Sequence, residues 1–82
     1  MPVVLRVQGY KFWFYMADVA EPPHVHVGKD GNEAKFWLTP VKAAREGRFR
    51  PVELRNIERI IDDNLEFLLK AWNEEKDKHV NG

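Results

Sequence analysis

The sequence predicts an α+β fold, an antiparallel sheet of about four strands followed by helix, and three observations predict it. Apolar and aromatic residues alternate with a period of two through the first 38 residues, two glycine-containing turns divide that stretch into hairpins, and the period changes to three and four after Pro51. A chain of 82 residues supplies one core rather than two, so a single domain over residues 1–75 with a frayed tail at 76–82 is expected.

In the first hairpin Val3, Leu5 and Val7 share a face, with Val4, Arg6 and Gln8 on the other. Gln8-Gly9 is the turn. It sets Val7 against Tyr10, Arg6 against Lys11, Leu5 against Phe12, Val4 against Trp13 and Val3 against Phe14, a register that keeps one face uniformly apolar. Asp30-Gly31 does the same for the second hairpin: Val27 opposes Ala34 and Val25 opposes Phe36, while on the reverse face His26 meets Lys35 and His24 meets Trp37. Thr39-Pro40 reads as a helix start, hydroxyl at the N-cap and proline at N1, so a short helix is expected at 40–46, ended by Gly47. A long helix is expected at 51–73, where Leu54, Ile57, Ile61, Leu65, Leu68 and Trp72 recur at three or four residues and cover the apolar sheet face. Ile60, Phe67 and Leu69 widen its stripe.

Composition removes whole classes of function. At 44% hydrophobic and 32% charged the chain is too apolar for a disordered segment and too charged for a membrane protein, and no uncharged run approaches the ~20 residues of a membrane span. Met1-Pro2-Val3 lacks the basic start of an export signal. Cysteine is absent, which excludes disulfides, thiolate nucleophiles and cysteine-bound metals, and a cytoplasmic location is expected. There is no G-x-G-x-x-G, P-loop, Ser-His-Asp pattern or zinc finger, so no cofactor is expected. Net charge is zero but divided: residues 1–50 carry 8 Lys+Arg against 5 Asp+Glu, and residues 51–82 carry 5 against 8. Halves of +3 and −3 give no overall drive toward nucleic acid, so contact with RNA would have to be local.

With the apolar face under the helix, the second sheet face displays Arg6, Lys11, Trp13, Tyr15, His24, His26, Lys35 and Trp37. One long helix covers one face, so this cationic and aromatic face is expected to be open and to make the contacts. Its sharpest element is Glu21-Pro22-Pro23-His24-Val25-His26-Val27, where two prolines fix an extended approach and alternation puts both imidazoles on one face. Three readings of the pair compete. His24 and His26 can serve a zinc site, but a third ligand is needed and Lys35 faces His26, with Asp18, Glu21 and Glu33 the nearby carboxylates. They can act as acid and base on a phosphodiester, with Lys35 or Arg6 stabilising the transition-state charge, a metal-free ribonuclease chemistry. Or they are packed strand residues whose ring nitrogens satisfy the Glu21–Pro23 loop or touch a protein partner. Partner-binding candidates are thus Arg6, Trp13, Tyr15, Glu21, His24, His26, Lys35 and Trp37, with His24, His26 and Lys35 the catalytic candidates. On the helix Arg59 with Asp63 and Glu66 with Lys70 are i,i+4 pairs of a solvated face.

The segments Gly9-Tyr10-Lys11-Phe12-Trp13-Phe14-Tyr15, Glu21 to Val27, Ala34-Lys35-Phe36-Trp37-Leu38 and Ala71-Trp72-Asn73, in that order, make the chain resemble the domain of unknown function 4160 family. The resemblance implies a small prokaryotic stand-alone protein and a small protein partner encoded by a neighbouring gene, in an arrangement similar to a toxin-antitoxin pair. It leaves open which of the two is effector and which inhibitor. The expected function is therefore an interaction module acting through the His/Lys/Trp face, with RNA as the alternative partner and no membrane partner.

Overall fold

The computed structural model describes residues 3–15 and 19–80. Five strands, β1 (Val3–Val7), β2 (Tyr10–Trp13), β3 (His24–Lys29), β4 (Asn32–Leu38) and β5 (Val41–Arg45), precede two helices, α1 (Pro51–Asp63) and α2 (Leu65–Val80). The strands form one antiparallel meander in the order β1-β2-β3-β4-β5. The α+β class is as expected, with one strand more.

Both hairpin turns take the geometry that matches sheet twist: Gln8 and Gly9 have φ of 54° and 84°, Asp30 and Gly31 φ of 51° and 81°. The second hairpin has the expected register throughout, His24 opposite Trp37 to Val27 opposite Ala34. In the first, Leu5, Arg6 and Val7 pair with Phe12, Lys11 and Tyr10, but a bulge at Val4 then places Val3 opposite Trp13. The expected Val4–Trp13 and Val3–Phe14 pairs do not form, because the extra residue shifts the edge strand by one.

The short helix expected at 40–46 is instead β5. Thr39-Pro40 is a two-residue turn with a cis peptide bond that brings Val41 opposite Leu38. Val-Lys-Ala-Ala-Arg favours helix by propensity, yet β4 exposes an unpaired edge, and pairing with it half-buries Val41 and Ala43 against the core.

The long helix expected at 51–73 is two. The Asn64 side-chain amide donates to the Ile60 carbonyl at 2.8 Å, competing with the helical ladder, and its φ of −119° breaks the run for one residue. Leu68 N–H bonds the Asn64 carbonyl, so α2 starts at once, and it continues to Val80, past the expected end near Asn73. At the start of α1 the Glu53 carboxylate accepts from the Arg50 N–H at 3.0 Å, a bond that holds its carboxyl below the usual carboxylate range.

The core joins Phe12, Val25, Val27, Ala34, Phe36 and Leu38 of the first sheet face to Ile57, Ile60 and Ile61 of α1 and Leu68 of α2. Trp72 of α2 closes one end, edge-on to Phe14 with ring centroids 5.5 Å apart. No helix among the described residues is long and apolar enough to cross a membrane.

Candidate functional site

Strand alternation assembles the second face in transverse rows. Trp13, His26, Lys35 and Arg45 stand side by side across β2 to β5, flanked by the His24–Trp37–Lys42 row on one side and the Arg6–Lys11–Gly28–Glu33 row on the other. Every partner-binding and catalytic candidate lies on or beside this face, but they are not equally reachable. His24 is 0% and His26 3% exposed, so of the three readings of the pair the packed one matches, and this part of the face expected to be open is covered. Trp13, Tyr15, Glu21, Lys35 and Trp37 are half-buried, and Arg6 and Lys11 are exposed.

The histidines are buried by rings. His24 lies 5.6 Å from Trp37 and 4.9 Å from Trp72 between centroids, and His26 lies 4.4 Å from Tyr15, 6.1 Å from Trp13 and 5.4 Å from His24. His24 Nδ1 is 2.9 Å from the Pro22 carbonyl. A carbonyl only accepts, so that nitrogen carries the proton and the ring fastens the Glu21–Pro23 approach to the sheet, as the packing reading requires. Pro23 adds to the same joint, its carbonyl accepting from Leu38 N–H at 3.0 Å.

Glu33 organises the other half of the face. Its carboxylate accepts from the Tyr15 hydroxyl at 3.3 Å, lies 3.4 Å from His26 Nδ1 and 3.6 Å from an Arg45 guanidinium nitrogen. Glu21, from the loop before β3, takes the Lys35 ammonium at 2.7 Å, which also sits 4.6 Å above the Trp37 ring. Half-buried charges are thus matched in place, as desolvated ions must be. Among the described residues no group of three His, Cys, Asp or Glu is placed to hold a metal ion; Asp18 lies outside them.

Four participants are not among the partner-binding or catalytic candidates read from the sequence. Glu33, weighed from the sequence only as a carboxylate near a zinc site, stands two residues before Lys35 on one strand and so on its face. Arg45 and Lys42 fall in the stretch expected as a short helix, and Trp72 in an apolar stripe, with nothing local to show that it reaches His24.

Gly28 shapes the face by omission. A Cβ there would lie 2.8 and 3.0 Å from the Trp13 ring carbons Cη2 and Cζ3, so the indole rests over the bare glycine. Gly28→Ala is expected to push the ring outward and shift tryptophan emission to longer wavelength, at a stability cost of about 1–2 kcal/mol. Unchanged emission would mean that Trp13 is held elsewhere.

A family profile described as Domain of unknown function (DUF4160) matches residues 9–73, a span that includes every ring and ion pair of the site except Arg6 at the rim. No curated protein and no solved structure matches the chain.

Proposed function

Given a chain that belongs to the domain of unknown function 4160 family, we propose that it is a small protein-interaction module, one component of a toxin-antitoxin-like gene pair, which binds the product of a neighbouring gene through the second sheet face. One observation carries the reading. Half-exposed Trp13 and Trp37 are set on a scaffold of buried His24 and His26, with exposed Arg6, Lys11, Lys42 and Arg45 around them. Aromatic side chains held rigid inside a polar rim are the usual make-up of residues that dominate binding energy. Ordering them in advance lowers the entropy lost on association.

The burial of both imidazoles supports binding over acid–base catalysis, which requires each ring to reach a proton of the substrate. The gene-pair component rests on the family resemblance. The test is titration of the purified neighbouring gene product against the wild-type chain and its variants. Trp13→Ala and Trp37→Ala are each expected to weaken binding at least about tenfold, as loss of a central aromatic does, whereas Glu58→Ala on the exposed side of α1 leaves it unchanged. Equal affinity for all four chains would remove the second face from the interface. Growth arrest on expressing the chain alone, absent in a folded His24→Ala/His26→Ala variant, would make it the effector of the pair.

A further inference from the structure

Lys11 pairs with Gly28 and Gly28 with Glu33, so the middle of this row on the second face has no side chain. The two hairpin turns end side by side just beyond it. The result is an open groove of about 440 Å³ whose walls include Lys11, Trp13, Gly28, Asp30 and Glu33.

The charge a partner would meet there is mainly positive. Glu33 turns its carboxylate to Tyr15, His26 and Arg45, and Glu21 is engaged by Lys35. Lys11 is exposed beside the groove with exposed Arg6 directly across the strand pair; the acidic side chains of the wall are Asp30 at the turn tip and Glu33, whose carboxylate lies 3.6 Å from exposed Arg45.

Ring geometry separates two kinds of anionic partner. Lys35 caps the Trp37 ring, Trp13 is stacked at 22° to His26 and rests over Gly28, and Tyr15 meets both Trp13 and His26 edge-on, at 88° and 73°. One face of Trp37 is thus taken by Lys35, and Trp13 is engaged by His26 and Gly28. A nucleobase needs such a face to stack on, whereas a protein side chain packs against a ring edge.

We propose that the partner docks an acidic segment in this groove, its carboxylates on Lys11 and Arg6 and an apolar side chain between them against Trp13 above Gly28. This rests on the interaction reading and adds the chemistry of the partner to it.

The test is heteronuclear NMR of the full chain, following the Trp13 indole N–H and the Gly28 and Gly31 amides. The probes are a capped Glu-Asp-Leu-Phe-Glu-Asp peptide, the same peptide with lysine at each acidic position, and a uridine octamer. The acidic peptide is expected to shift these signals and the basic one not to. Arg6→Glu/Lys11→Glu, at two exposed positions, is expected to weaken the acidic peptide about tenfold, and added salt to weaken it further. Preference for the basic peptide, or no shift with the acidic one, overturns the proposal. Shifts with the uridine octamer alone assign the groove to nucleic acid, and shifts that depend on protein concentration without peptide assign it to a second copy. If the neighbouring gene product binds the charge-reversed chain as tightly as wild type while Trp37→Ala weakens it, the acidic segment is wrong and the interaction reading stands. If that product fails to bind while the acidic peptide docks as described, the named partner is wrong and the groove stands.

Discussion

Trp72→Ala is expected to lower the unfolding free energy by about 3–5 kcal/mol, the range for truncating a buried aromatic side chain. Trp72 is 2% exposed and meets rings from two different strands' ends, Phe14 at 5.5 Å and His24 at 4.9 Å. Along α2 the only other fully buried side chain of the described core is Leu68, with Leu65, Leu69 and Ala71 partly buried against it. Of the described side chains, Leu68 and this one indole are what α2 buries fully, and the indole reaches His24. Its loss leaves a cavity beside His24 and loosens the helix from that point on. Urea denaturation reads the free energy, and ellipticity at 222 nm reads the helix. For a domain of this size the melting temperature should fall by more than about 10 °C. Trp72→Phe, which keeps a ring between Phe14 and His24, should lose less than half as much. Phe67→Ala is the control: Phe67 is 50% exposed on the same helix, and its loss should stay within about 0.5 kcal/mol. A Trp72→Ala chain as stable as the Phe67→Ala chain would mean that α2 is not docked through this contact.

The dependence of the site on Trp72 shows where sequence reading stops. Residues near one another in the chain declared their arrangement: the Asp30-Gly31 turn and the alternation beside it placed His24, His26, Lys35 and Trp37 in the register that forms. Two local signals misled because a distant element outweighed them. Val41–Arg45 has helix-favouring residues but pairs with β4, whose free edge lies outside any local window. The apolar stripe through Leu65 continues that of α1, yet one Asn64 side chain divides the helix without changing the stripe. Packing of the two histidines is one of three readings the sequence leaves open, and what covers them is the part it cannot show. For His24 the covering depends on Trp72, some fifty residues away, and on the Glu21–Pro23 approach folding back onto the ring. Alternation assigns a side chain to a face but cannot say whether that face is covered. A pair of polar rings on a strand is therefore open to both readings, contact surface or packed support, and here the rings support the surface from beneath.

Gly47→Ala is expected to cost about 2–4 kcal/mol, because it combines an unfavourable backbone region with a collision. Gly47 has φ of +61°, and a Cβ on it would run into the backbone carbonyl oxygen of Glu33. Neither partner is a flexible side-chain end, so the turn after β5 or strand β4 itself must move. Gly31→Ala separates the two contributions. Gly31 also has positive φ, +81°, but nothing lies within 4 Å of the added carbon, so only the conformational part remains, about 1 kcal/mol. The difference between the two variants in urea denaturation measures the collision. Equal losses would show that the turn moves aside freely and that the close approach has no energetic role. The collision falls on the residue whose carboxylate receives Tyr15 and approaches His26 and Arg45. Gly47→Ala should therefore disturb the Trp13 and Tyr15 signals in near-ultraviolet circular dichroism and weaken partner binding, although Gly47 lies outside the face it supports. Gly31→Ala should leave the Tyr15 contact in place, because its added methyl meets no part of β4.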